Sequence, residues 1–291
     1  MSNEENRENR NASLFGGQQN IPTVTQEQYV QQNYGITKPR FLAPLPSRGL
    51  VYPIGSPLHG KDSIELYAMT AEQEDILMNK VYMKKGTVLT ELIKSCLVDR
   101  TIDVSTLISG DRNALMVAIR ASGYGVDYKT EIVCPRCELK QDFLVMLDQL
   151  EEKALEIEPV SPGSNLFEYT LPMTQKVVQF KFLTTVEEEE IVATNELRKK
   201  RGLPTDDHVV TNQLFYHIVS IDGKTDKKFI TDFIRYMPAR DSLELSMYIE
   251  EKDPSIDMTA NFICVSKSCE HEERVGIPIG LSFFWRRLTK R

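Results

Sequence analysis

Apolar residues follow two different periods along this chain, and the switches between them outline its elements. The first 38 residues follow neither period, being rich in Asn, Gln and Glu and poor in aliphatics. Such a segment cannot bury enough surface to offset the entropy of ordering. A disordered polar arm is therefore expected over 1–38, or one that orders only on a partner. From Pro39 to Pro57 the chain contains prolines and reads as extended. Phe41, Leu42, Leu45, Leu50, Val51 and Tyr52 nevertheless make it more apolar than a linker. It is expected to lie along a surface of its own domain or of a neighbour.

Residues 63–68 read as a short strand. Thr70-Ala-Glu-Gln73 has the pattern of a capping box, with Thr70 as N-cap and Gln73 reaching back. Ile76, Leu77 and Val81 then supply the apolar stripe of the helix it starts. A second helix is predicted over 87–98, with Leu89, Leu92, Ile93, Cys96 and Leu97 on one face. Ser109 or Asp111 would cap a third, in which Leu115, Met116 and Ile119 recur at helical spacing. Gly123-Tyr-Gly125 ends it.

Two segments then repeat one pattern far apart in the chain. The first runs through Cys134-Pro-Arg-Cys137, the second through Cys264-Val-Ser-Lys-Ser-Cys269. After each pair, apolar residues sit at the sixth, eighth and tenth positions: Phe143, Val145 and Leu147, then Val275, Ile277 and Ile279. A period of two is that of a strand with one buried face. Each segment therefore reads as strand, tight turn with two thiolates, strand, which is half of a zinc ribbon.

Between the two, a Pro/Gly/Ser break at 159–164 precedes alternation over 167–182, read as a β-hairpin. Thr185 is expected to cap a charged helix running to about residue 201. Its Glu187–Glu190 run and its Arg198-Lys-Lys-Arg201 end both suit the helix dipole. Asp206 or Asp207 would start the next helix, carrying Leu214, Phe215, Ile218 and Val219. Two more are expected over 228–236 and 240–250. Leu281, Phe283, Phe284 and Trp285 close the chain. Each cysteine hairpin thus follows a set of helices. The expectation is an α+β fold of two small helical lobes, 39–158 and 159–291, joined by a zinc-ribbon-like pair of cysteine β-hairpins.

The chemistry of the cysteines sharpens this picture. A structural Zn²⁺ site takes four ligands, and neither pair supplies four alone. Cys134, Cys137, Cys264 and Cys269 are therefore expected to form one shared structural site, with His271 as the plausible substitute ligand. Zn²⁺ is the first choice, and an iron–sulfur cluster, which uses the same ligand type, stays open. A disulfide framework would suit a secreted chain, but no signal peptide is seen and five cysteines in 291 residues are sparse. A redox pair needs a helix after its first thiol, whereas a strand follows Cys137. Cys96, in an apolar helical stretch, reads as a buried small hydrophobe.

Composition adds limits. The net charge of -7 argues against general nucleic-acid binding, and the basic end Arg286-Arg287-Leu-Thr-Lys290-Arg291 reads as a solvated tail. No run approaches the length of a membrane span. There is no phosphate-binding loop or dinucleotide fingerprint. None of the four histidines, His59, His208, His217 and His271, stands in a metalloprotease spacing or beside a nucleophile. Asp206-Asp207-His208 reads as a capped helix start rather than a metal site. No catalytic constellation is visible, so the chain is not expected to be an enzyme.

A further pattern lies in the order of several short stretches. These are Leu45-Pro-Ser-Arg-Gly49-Leu-Val-Tyr52-Pro53, Met69-Thr-Ala-Glu-Gln-Glu-Asp-Ile-Leu77, Asp111-Arg-Asn-Ala-Leu115, Ile119-Arg-Ala-Ser-Gly-Tyr124-Gly125 and Cys134-Pro-Arg-Cys137. Over residues 42–147 this series resembles the baseplate hub and hub-assembly proteins of T4-like contractile-tailed bacteriophages. The resemblance implies a structural or assembly role with other baseplate and tail hub proteins as partners. It places the chain in the virion tail baseplate, or in the host cytoplasm during assembly, and carries over no enzymatic motif. The alternative from a different class is a zinc-ribbon nucleic-acid-binding or transcription-associated phage protein. Arg136, Lys140 and the basic tail would serve it, and Glu138, Glu270, Glu272 and Glu273 oppose it.

Overall fold

A computed structural model describes residues 37–200 and 209–284, together with Gln31 and Gly35. Most of the polar arm, the Asp206–His208 start and the basic tail with Trp285 fall outside the described residues. The chain divides at Pro39, and the account below concerns the unit Arg40–Arg291.

The apolar extended stretch folds into this unit's own interior. Strand β1 (Arg40–Pro44) pairs antiparallel with β2 (Ser63–Tyr67). Between them a series of turns buries Leu45, Val51, Tyr52 and Leu58. Gly49 makes this path possible: its φ is +67°, and a Cβ there would collide with the Leu58 carbonyl.

Helix α1 (Ala71–Leu77) starts as the sequence predicts, with Gln73 Oε1 accepting from the Thr70 N–H at 3.0 Å. It stops sooner than expected. Asn79 caps a separate helix, α2 (Lys80–Lys85), its Oδ1 accepting from the Val81 N–H at 2.9 Å. Asparagine competes well for free N–H groups, so the helix restarts, and Val81 faces solvent instead of extending the stripe. Helix α3 (Val88–Cys96) buries Leu92, Ile93 and Cys96 completely.

Helix α4 (Ser109–Tyr124) is the central element. Ile108 rather than Ser109 or Asp111 precedes its first turn, and both expected caps have other duties. Ser109 N–H donates to Leu183 O at 2.8 Å. Asp111 is buried at 0% exposure and accepts from the Ser47 N–H (2.9 Å), the Ser47 hydroxyl (2.5 Å) and the Tyr52 hydroxyl (2.5 Å). Three donors offset part of the cost of burying this carboxyl group, whose pKa burial still raises.

The first cysteine hairpin is β3 (Asp127–Val133) with β4 (Lys140–Met146), and β5 (Glu152–Lys153) follows. The predicted hairpin at 167–182 is β6 (Phe167–Thr170) with β7 (Val177–Phe180). Helix α5 (Thr185–Lys200) is capped one residue earlier than expected: the Thr184 N–H and hydroxyl both donate to Glu187 Oε2 at 3.0 Å. Thr185 is buried and donates instead to Leu107 O.

Helix α6 (Val209–His217) ends before Ile218, where the sequence continues its stripe. Ile218–Ile221 forms β8, the third strand beside β7. Branched Ile218, Val219 and Ile221 favour a strand where an open sheet edge is available. Helices α7 (Lys227–Tyr236) and α8 (Ala239–Lys252) match expectation. Strand β9 (Ser255–Ile256) pairs with β5, the second cysteine hairpin is β10 (Thr259–Ile263) with β11 (Glu272–Gly276), and α9 (Leu281–Phe284) follows.

Nine helices and small antiparallel sheets among the described residues make this an α+β protein. One hydrophobic core includes Ala43, Leu66, Leu92 and Leu115 from the first half and Phe167, Phe180, Leu245 and Phe284 from the second. The halves are stitched by more than the cysteines. Arg120, buried in α4, donates to Phe283 O at 3.1 Å. A Cβ on Gly110 would collide with the Pro254 carbonyl, so α4 and the residues before β9 are in direct backbone contact.

Candidate metal centre

The two hairpins present their cysteines through matching turns. In the first, the Cys134 N–H donates to Leu139 O at 2.9 Å, and the Glu138 N–H donates to Cys134 O at 2.9 Å. In the second, the Cys264 N–H donates to His271 O at 2.9 Å, and the Glu270 N–H donates to Ser266 O at 3.0 Å. The residue after the last cysteine is left-handed in both, with φ of +59° at Glu138 and +42° at Glu270. Such values are uncommon outside glycine. Their recurrence at equivalent positions shows that the sequence repeat is a structural repeat.

These turns bring all four thiols together. Cys134, Cys137, Cys264 and Cys269 have their Sγ atoms within 4.8 Å of one another. Cys134 and Cys269 lie 3.9 Å apart and Cys137 and Cys264 3.6 Å, so each close pair joins the two hairpins. Phe262, fully buried, packs with Cys134 and Cys264 on the inner side, and its ring lies 5.9 Å from that of Phe143. Cys137 is on the exposed side.

The donor set fits a single ion. Thiolates at about 2.3 Å from a tetrahedral centre stand about 3.8 Å from each other. The two close separations bracket that value. A cluster spreads its thiolates over several iron atoms and needs wider spacing.

Burial and the neighbouring groups shift the thiols of Cys134, Cys264 and Cys269. Burial works to raise the Cys134 thiol, but the N–H groups of Cys137 and Arg136 aimed at its sulfur, with neighbouring thiols, bring it down to about 6. At Cys264 the Ser266 N–H works the other way, yet burial and the adjacent sulfurs push the thiol up to about 12. Burial also raises Cys269. A second thiolate beside the first is disfavoured by repulsion, and a bound cation would offset that repulsion.

The other sequence candidates lie elsewhere. His271 Nε2 is 3.1 Å from Glu273 Oε2 and outside the thiol cluster. His217 is packed, its Nδ1 2.8 Å from Lys181 O, and burial lowers its pKa. Cys96 is fully buried in the core. Sequence reasoning missed two features. One is the Ser47–Tyr52–Asp111 cluster. The other is Gln141, whose side chain bonds to the backbone on both sides of Cys264. The only hint of the latter is its place four residues after Cys137.

Fold and site together define an α+β protein with four thiols shared between two distant hairpins. Residues 53–285 match the family described as T4 bacteriophage base plate protein, and the chain belongs to that family. The match takes in both cysteine hairpins and the second half as far as residue 285. Neither a curated protein nor a solved structure matches the chain.

Proposed function

We propose that this chain is a non-catalytic structural or assembly component of the baseplate hub, held together by one zinc ion on Cys134, Cys137, Cys264 and Cys269. Membership of the base plate family over 53–285 carries the reading. The hub assignment rests on the resemblance of residues 42–147 to hub and hub-assembly proteins. The sulfur spacing supports one four-coordinate ion over a cluster, and zinc suits a closed thiolate site.

The buried polar groups support a structural role. Asp111 is consumed by Ser47 and Tyr52, and Asp241, also buried, accepts from the Met173 N–H at 2.7 Å and the Thr174 N–H at 3.0 Å. Both carboxylates fasten loops. The metal would join two hairpins whose cysteines are more than a hundred residues apart. Structural zinc contributes about 10–16 kcal/mol to small peptides near neutral pH.

The partners are other baseplate and tail proteins, and the site of action is the virion tail or its precursor in the host cytoplasm. No described helix is long and apolar enough to cross a membrane. Mixing the purified chain with the other hub proteins should give a co-eluting complex. Its absence from both virions and assembly intermediates would overturn the reading.

A further inference from the structure

We propose that Gln141 is the positioning residue of the metal site, holding the second cysteine turn in place from the first hairpin. This rests on the reading that the four thiolates bind one metal ion.

No described strand of one cysteine hairpin pairs with a strand of the other. The Gln141 side chain crosses that gap. Its Nε2 donates to Ile263 O at 2.9 Å, and its Oε1 accepts from the Val265 N–H at 2.9 Å. In an extended chain, the carbonyl before a residue and the N–H after it point to the same edge. A parallel partner strand uses that pair of groups. The amide of Gln141 imitates such a partner, centred on Cys264. The other edge is already taken, since the Cys264 N–H donates to His271 O. The backbone carrying Cys264 is therefore fixed from both sides, with its sulfur 3.6 Å from that of Cys137.

The arrangement is one-way for a chemical reason. The corresponding clamp on the first turn would need the N–H of residue 135, which is Pro135 and has none. The proline ring fixes φ there, so the short Cys134-Pro-Arg-Cys137 turn is ordered locally. The second turn places four residues between its cysteines and lacks a proline. It has more freedom to lose, and Gln141 supplies the constraint. The equivalent position in the second hairpin, four residues after Cys269, is Glu273, which is engaged with His271 instead.

The side chain's length and both of its polar atoms matter. Gln141→Glu would set a carboxylate oxygen against the Ile263 carbonyl. Methionine keeps the volume and loses both bonds. Asparagine keeps the amide one methylene short.

The test uses the full chain stripped of metal and titrated with Co²⁺. Affinity is read from the thiolate-to-cobalt bands and by Zn²⁺ competition. Gln141→Met, Gln141→Glu and Gln141→Asn should each bind Co²⁺ about 10–100-fold more weakly, as loss of outer-shell partners does elsewhere. Exchange of the Val265 amide should quicken in the same variants, while Glu273→Gln should stay within about twofold of wild type. Affinities within about twofold of wild type in the three Gln141 variants would overturn the proposal. An absence of thiolate bands in the wild type would instead overturn the metal reading beneath it. Should one variant fail to fold, judged by circular dichroism, the other two decide.

Discussion

Asp111 Oδ2 accepts a hydrogen bond from the Tyr52 hydroxyl at 2.5 Å, across 59 residues of chain. Both groups are buried, and the Ile108 N–H donates to the same hydroxyl at 3.3 Å. Burial, followed by the charge of Asp111, pushes the Tyr52 pKa well up, so the phenol stays a donor. This contact ties the Leu45–Tyr52 stretch to the start of α4: one supplies the donors, the other the acceptor.

Tyr52→Phe should therefore cost about 2 kcal/mol, and Asp111→Ala about 3 kcal/mol or more, since it strands three donors. The two losses should not add. A double-mutant cycle read by urea denaturation checks the coupling.

Gly110→Ala should destabilise by about 3 kcal/mol, because the new methyl meets the Pro254 carbonyl and neither backbone can retreat cheaply. Gly280→Ala, where a Cβ meets nothing within 4 Å, is the matched control and should be nearly neutral. Thermal melts of both variants decide.

Burial raises the Asp253 carboxyl to about 7, with Glu188 and Asp111 adding to the effect and Lys153 opposing it. Its Oδ1 is buried without a partner. The folded protein holds this proton more tightly than the unfolded chain does. The contribution is thus favourable below about pH 4 and is lost as pH rises to about 7. Asp253→Asn should stabilise the protein by about 1–2 kcal/mol at pH 8 and by little at pH 4. Urea midpoints at the two pH values test this; equal shifts at both would contradict it.

Much of this architecture was legible because it rests on short-range signals. The cysteine pairs declare themselves through spacing and through apolar residues at matching positions after each pair, and the capping box at Thr70 is local by nature. The misreadings share one cause. Val81 and Ile218 both sit at helical spacing from the preceding stripe, yet Asn79 restarts one helix and the edge of β7 draws the other residue into a strand. Periodicity reports a face, not a terminus. The cap of α5 falls at Thr184 rather than Thr185 because two threonines stand side by side and only tertiary structure claims Thr185 for Leu107. The long-range bonds of Asp111, Tyr52 and Gln141 were invisible for a different reason. A polar group bonded far along the chain leaves no period, and its partners are backbone atoms or residues dozens of positions away.

Cys134→Ser and Cys264→Ser should lower the melting temperature alike, by at least about 10 °C, since each removes one ligand from the same ion. A strong chelator should bring the wild type down to the level of these variants. A harmless Cys264→Ser beside a damaging Cys134→Ser would mean the pairs do not share a site.

X-ray absorption at the zinc edge of the purified chain tests the central claim most directly. Four sulfur neighbours at about 2.3 Å and one zinc per chain are expected. A first shell containing nitrogen or oxygen, an iron signal with metal–metal scattering, or a chain that carries no metal would contradict it.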